Sequence, residues 1–178
     1  MSNYAKIENF SIENGTGIGV SIFFSGCTLA CKNCFNRELW DFDYGKPFTD
    51  ETIKEVLDKL SNPHINHLSI LGGDGLEPKN IIATYRLVRN ARSSFPDKKI
   101  WLWTGRTLGE LVSTIIQKQG TIYTTYLSLV LQNIDILVDG RFIEEQKDLT
   151  LKWCGSKNQR VIDMQESLKQ HKLVLYEG

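Results

Sequence analysis

The sequence predicts an α/β fold, an open, partial α/β barrel with mostly parallel strands. Three observations predict it. Short apolar runs rich in β-formers alternate with stretches of helical period. The runs end in loops carrying Gly, Thr or Cys, the strand ends at which parallel α/β folds place ligands. The 178 residues hold about five such units, too few for a closed eight-stranded barrel of roughly 250 residues.

The elements follow in order. Gly19-Val20-Ser21-Ile22-Phe23-Phe24 reads as a strand that delivers Ser25-Gly26-Cys27 at its C-terminal end. Ile53, Val56, Leu57 and Leu60 recur at helical spacing after the start signal Thr49-Asp50 and make one apolar face. His67-Leu68-Ser69-Ile70-Leu71 is a second strand, stopped by Gly72-Gly73. Pro78 then opens a helix on which Ile81, Tyr85 and Val88 share a face. Lys99 to Trp103 is a third strand, ended by Thr104-Gly105. Thr107 and Glu110 have capping-box spacing before an amphipathic stretch through Leu111, Ile115 and Ile116. Ile134 to Val138 is a fourth strand. Residues 117–133 fit the alternation worst and read as an insertion or a distorted helix and loop. The pattern weakens again after Gly155. No boundary, repeat or low-complexity tract interrupts residues 1–178, which read as a single domain.

Lys and Arg number 21, as do Asp and Glu, so the formal net charge is zero. Global charge therefore gives no pull toward nucleic acid or an anionic membrane surface. No window approaches the roughly 18 apolar residues of a membrane span, and the first residues lack the charged-then-apolar pattern of a signal peptide. A cytoplasmic protein is expected.

Three of the four cysteines fall together as Cys27-x3-Cys31-x2-Cys34, and Cys154 stands far down the chain. A cytosolic compartment keeps thiols reduced, so a tight group of this kind points to metal binding or redox chemistry rather than to bridges. Short thiolate spacings suit an iron–sulfur cluster, and three ligands on a four-iron cluster leave one iron open. Spacing alone also allows a zinc knuckle completed by Cys154, His64 or His67, or three small buried residues. Cys154, beside Trp153 in an apolar stretch, reads as a buried inert thiol. His64, His67 and His171 show no pairing pattern.

The cysteine triad followed by Phe35 resembles the signature of radical S-adenosylmethionine (radical SAM) enzymes, and Gly72-Gly73-Asp74 resembles their glycine-rich SAM-binding segment. More narrowly, Phe35-Asn36-x2-Leu39-Trp40, Trp101-Leu102-Trp103-Thr104-Gly105, Val138-Asp139-Gly140-Arg141-Phe142 and Gly155-Ser156-x-Asn158-Gln159-Arg160 resemble the activating proteins of anaerobic (class III) ribonucleoside-triphosphate reductase. The likeness runs from about residue 10 to residue 163. One departure is Gly75-Leu76-Glu77-Pro78, where relatives often have Pro-Leu after the aspartate.

The resemblance implies one radical SAM domain over residues 1–178, with a partial barrel of that type. It implies a [4Fe-4S] cluster on Cys27, Cys31 and Cys34 and S-adenosyl-L-methionine bound by Asn33, Cys34, Phe35, Gly72, Gly73 and Asp74. No side chain is assigned as catalytic, because cluster and SAM carry the chemistry. The activity implied is generation of a glycyl radical on the reductase, with a reduced flavodoxin- or ferredoxin-type electron donor and room for a homodimer. Physically, Gly72 and Gly73 let backbone approach a ligand, Asp74 accepts from an ammonium, Asn33 hydrogen-bonds and Phe35 stacks or shields. Thr104-Gly105 is a further contact at a strand end. Trp101 and Trp103 read first as core. Asp139, Arg141, Asn158 and Arg160 stay undecided between ion pairs, surface groups and ligand or partner contacts. The rivals are an activase of another glycyl-radical enzyme such as pyruvate formate-lyase, and a non-catalytic four-cysteine metal or electron-carrier protein.

Overall fold

The computed structural model describes residues 1–178. Seven strands form one mixed sheet: β1 (Asn3–Ser11), β2 (Gly19–Phe24), β3 (Lys46–Pro47), β4 (His67–Gly72), β5 (Lys99–Trp103), β6 (Ile136–Asp139) and β7 (Arg160–Asp163). Their order is β3-β1-β2-β4-β5-β6-β7, so the sheet is open, with β3 and β7 at its edges. The inner strands β2, β4, β5 and β6 are parallel. β1, β3 and β7 pair antiparallel around them. The mostly parallel open α/β reading therefore holds in a mixed sheet, with four parallel strands rather than about five repeated units. The antiparallel flanks lack the long apolar run of a buried parallel strand. β1, for example, has one buried residue, Tyr4, among exposed and half-buried ones.

Five helices connect or follow these strands: α1 (Asp50–Leu60), α2 (Ile81–Ser94), α3 (Leu108–Gln117), α4 (Ile122–Asn133) and α5 (Met164–Gln170). α1 and α3 start at the predicted capping residues. Thr49 and Thr52 close a reciprocal capping box on α1, and Thr107 with Glu110 does the same on α3. α2 begins at Ile81 rather than at Pro78, because Asp74 to Asn80 is used as a turn. The Asn80 amide holds that turn by donating to the Ser25 and Asp74 carbonyls. Residues 117–133, expected to be an insertion or a distorted helix and loop, hold a short loop and α4, capped by Thr121 and burying Leu127, Val130 and Leu131. Its run of Thr, Tyr and Leu on every side blurred the helical period.

Alternation along the strands sorts the core. The register aligns Ile22, Ile70, Leu102, Leu137 and Ile162 across five neighbouring strands, and all five are fully buried in the main core with residues of every helix. Shifted by one position, Ser21, Ser69, Trp101 and Ile136 form a row on the opposite face. There Trp101, Ile136 and Val138 make a small second cluster against Trp103, Trp153, Cys154, Val161 and Tyr176. No helix is long and apolar enough to cross a membrane.

Candidate functional site

The C-terminal ends of β2, β4, β5 and β6 open into one cavity of about 240 Å³. Cys27, Cys31 and Cys34 line it together with Phe35, the turn Gly72-Gly73 and the strand end Trp103-Thr104-Gly105. Parallel strands bring these segments together because each strand delivers its loop to the same edge of the sheet.

The cysteine loop owes its course to two non-glycine residues in the left-handed region, Ala30 (φ 48°) and Asn33 (φ 54°). Asn tolerates that backbone better than most residues. Asn33 is exposed and does not line the cavity, so its visible part is in bending the loop between Cys31 and Cys34. Asn36 lines the cavity in its place and donates to the Gly72 carbonyl at 3.5 Å. Phe35, 60% exposed, packs on Phe142 with ring centroids 5.2 Å apart and stands at the mouth.

The glycine turn is required by the protein's own backbone. Gly72 takes φ 108°, and a Cβ there would lie 2.6 Å from the Phe24 carbonyl oxygen. A Cβ on Gly73 would lie 2.6 Å from the Gly26 oxygen and 2.8 Å from that of Leu39. The turn also binds back, as Gly73 N–H donates to the Phe24 carbonyl and Asp74 N–H to that of Gly26. The close approach expected toward a ligand is thus in the first instance an approach of the β4 loop to the loop after β2.

Asp74 is fully buried and absent from the cavity wall. Its carboxylate accepts from Leu76 N–H, the Thr104 hydroxyl and the Arg106 guanidinium, each at 2.8 Å. Burial holds its pKa above the ordinary carboxylate value, an effect that Arg106 and these hydrogen bonds offset only in part. Asp74, expected from sequence to accept from a ligand ammonium, is engaged here by Leu76, Thr104 and Arg106. Glu77, also buried, accepts from Arg106 and from both the N–H and hydroxyl of Thr28, next to Cys27. Burial opposes its charge, but those bonds outweigh burial and hold its carboxyl below the ordinary value.

The wall opposite is built from the two motif stretches that sequence left undecided. Arg160 pairs with Asp139 through two nitrogens. The Asn158 amide donates to the Arg141 carbonyl, and the Gln159 side chain ties Gly140 to the Gly155 and Ser156 amides. These polar side chains fold the wall, while Gly140, Phe142, Gly155 and Gln159 line the cavity.

The thiols fit a thiolate-bound group. No three His, Cys, Asp or Glu side chains gather tightly enough for a single metal ion, whereas the three cysteines share the wall of one cavity. Burial, then the nearby Asp74 and Glu77, push Cys27 up to about 11, and burial with Cys34 raises Cys31. Metal binding at these thiols would displace their protons. Cys154 and the histidines stand apart from the cavity. His67 is buried at the far end of β4 with Nδ1 3.2 Å from the Thr16 carbonyl.

Comparison with known proteins agrees with this layout. Residues 13–162 match the family model described as a 4Fe-4S single cluster domain. Proteins named anaerobic ribonucleoside-triphosphate reductase-activating protein are similar along most of the chain. That of Vibrio cholerae is 38% identical over 159 residues, 88% of this chain and 95% of its own. The chain belongs to this family. The Escherichia coli protein of that name is 35% identical over 161 residues, covering 89% of this chain and 97% of its own. The one from Enterobacteria phage T4 is 34% identical over 171 residues, covering 95% and 99%. Every cavity-lining residue from Cys27 to Gln159 falls inside the matched 4Fe-4S domain.

Proposed function

We propose that this chain activates an anaerobic ribonucleoside-triphosphate reductase by placing a glycyl radical on it, as a radical SAM enzyme. The observation that carries the reading is the convergence of Cys27, Cys31 and Cys34 with the Gly72-Gly73 turn and Thr104-Gly105 on one cavity at the strand ends. In this reading the three thiolates hold a [4Fe-4S] cluster, the open sheet is the partial barrel of the radical SAM fold, and residues 1–178 work as one domain. When held by Cys27, Cys31 and Cys34, a reduced [4Fe-4S] cluster would supply the electron for reductive cleavage of S-adenosyl-L-methionine to methionine and 5′-deoxyadenosine, the latter carrying the hydrogen taken from the target glycine.

The chain's own residues position and shield. Asn36, Gly72 and Gly73 present polar backbone and amide groups along one side, where the amino-acid end of S-adenosyl-L-methionine is held. Phe35, Trp103 and Phe142 supply apolar walls that keep water from a reactive centre. The cavity is smaller than the roughly 300–1,000 Å³ of ordinary small-molecule sites, so a ligand beside a cluster extends to the mouth. Phe35 there is the surface such a ligand meets first, and with Cys34 it completes the contacts assigned to S-adenosyl-L-methionine. Asn33 and Asp74 support the site through loop shape and internal bonding. The donor of the electron is a reduced flavodoxin- or ferredoxin-type protein, and the chain pairs as a homodimer on the reductase.

The test is anaerobic. Reconstituted with iron and sulfide, reduced and given S-adenosyl-L-methionine, the chain is expected to release 5′-deoxyadenosine, measured by chromatography. The Cys27→Ala, Cys31→Ala, Cys34→Ala triple variant is expected to release none, and product from it would sink the assignment. Adding the reductase should then give a glycyl-radical signal in electron paramagnetic resonance. A signal with pyruvate formate-lyase instead would reassign the partner.

A further inference from the structure

Three strand-end loops meet in a buried ionic knot whose charged groups lie behind the cavity wall, joined to it by the Thr104 hydroxyl on Asp74. Arg106, on the loop after β5, donates through Nη1 to Asp74 Oδ2 at 2.8 Å and through Nη2 to Glu77 Oε1 at 2.9 Å. The same Glu77 oxygen accepts the Thr28 N–H at 3.0 Å and the Thr28 hydroxyl at 2.7 Å. Thr28 follows Cys27 directly, so the cysteine loop hangs from Glu77 at its first ligand position. Asp74 is fully buried and Glu77 is 2% exposed, and such carboxylates persist only when paired and hydrogen-bonded. Two carboxylates against one guanidinium leave one net negative charge in the knot. It lies one residue from Cys27, through the contacts of Thr28 with Glu77.

A forked guanidinium is what the geometry demands, because one cation must reach two carboxylates on different parts of the turn. An ordinary surface pair could be lost with little effect, but each group here leaves a buried partner uncompensated if removed. Nothing in the cavity needs the knot for packing, since neither Arg106 nor Glu77 lines it. What the knot touches is the cysteine loop.

We propose that Glu77 and Arg106 are positioning residues that clasp the Cys27 end of the cysteine loop to the turn after β4 and set the charge felt by the cluster held there. This rests on the reading that Cys27, Cys31 and Cys34 hold a [4Fe-4S] cluster. Glu77 acts through Thr28 by hydrogen bonding and on the cluster by its field. Arg106 keeps Glu77 aimed at Thr28 and offsets part of the negative charge.

The experiment compares wild type with Thr28→Val, Glu77→Gln and Arg106→Gln, each anaerobically reconstituted. Iron release to a chelator and the midpoint potential of the cluster are read, the latter by redox titration with electron paramagnetic resonance. Thr28→Val, a change at an exposed side chain, is expected to fold normally and to release iron about tenfold faster, as loss of a supporting hydrogen bond does at metal sites. Glu77→Gln removes an anion and is expected to raise the potential, whereas Arg106→Gln removes a cation and lowers it. A merely structural role would not move the two potentials in opposite directions. Wild-type release rates with potentials that stay put or move together would overturn the clasp. Should Arg106→Gln fail to fold, a wild-type release rate in Thr28→Val overturns it alone. A wild-type chain that takes up no iron and sulfide would overturn the cluster reading and the clasp with it, a result plainly different from a loaded wild type with indifferent variants.

Discussion

The two faces of the sheet are held by different physics. On one, Ile22, Ile70, Leu102, Leu137 and Ile162 form an unbroken apolar row under helices. On the other, Ser21, Ser69, Trp101 and Ile136 face loops. The Ser69 hydroxyl donates to the Asn14 carbonyl, and Asn14 in turn reaches Ser21. The Trp153 indole donates to Gly15, and the Trp103 indole to the Trp153 carbonyl. Burial of hydrocarbon is non-directional and tolerates repacking. A hydrogen-bonded loop cover is directional and is opened by losing single partners. The cavity lies at the strand ends where the two regimes meet, with Trp103 and Trp153 bringing the loop-covered face into its wall.

The largest test of the contrast is truncation on the helix-covered face. Ile70→Ala leaves a cavity in the middle of the row, and a loss of about 2–5 kcal/mol is expected in urea unfolding. Ser69→Ala, one residue away on the other face, removes one hydrogen bond and is expected to cost about 1 kcal/mol. Equal costs for the two neighbours would break the distinction between the faces.

The same contrast explains what was legible in the sequence. β2, β4 and β5 and the helices α1 and α3 were readable because apolar periodicity and capping pairs such as Thr107 with Glu110 are local signals. The cysteine loop and the Gly72-Gly73 turn carry local signals of the same kind, and the fold brings both to one cavity. β1 and β7 were not, since an antiparallel edge is defined by its partner strand rather than by its own pattern. α4 was legible only as one of two alternatives, because apolar residues lie around most of its circumference. Within the site, Asp74 looked like a ligand contact, but only the fold reveals that Thr104 and Arg106 surround it. Arg106 itself carried no signal, being a single charge after Thr104-Gly105. The polar motif residues Asp139, Asn158 and Arg160 were ambiguous for the same reason, as their partners lie across a loop closure.

An intermediate test uses the buried imidazole on the loop-covered face. His67 is fully buried, its Nδ1 faces the Thr16 carbonyl and its Nε2 has no partner. Burial holds its pKa below the ordinary 6.5, against the pull of the Thr16 and Asn14 carbonyls. A depressed folded-state value means that the neutral ring's contribution is complete above pH 6.5 and is lost as pH falls through the lowered value. His67→Gln cannot titrate. The melting temperature of wild type is therefore expected to drop relative to His67→Gln between about pH 7 and about pH 5. A constant difference across that range would mean that the cover over His67 yields to the charge, and that this face is less rigidly held than its hydrogen bonds imply.

The smallest effect is expected at Cys154, and it sharpens the boundary between the loop-covered face and the site. Burial, then the charge of Asp139, push its thiol up to about 11, the same value as Cys27. Thiol acidity therefore does not separate the two, but position does. Cys27 lines the cavity, whereas Cys154 packs with the aromatic cluster around Trp101. Cys154→Ala is expected to keep the full complement of iron after reconstitution and to cost about 1 kcal/mol or less in stability. Cys27→Ala is expected to lose the iron with little change in the fold of the metal-free chain. Loss of iron in Cys154→Ala would extend the site across Trp153 onto the loop-covered face and make the fourth cysteine a ligand, against the proposed three-cysteine ligation with one iron open.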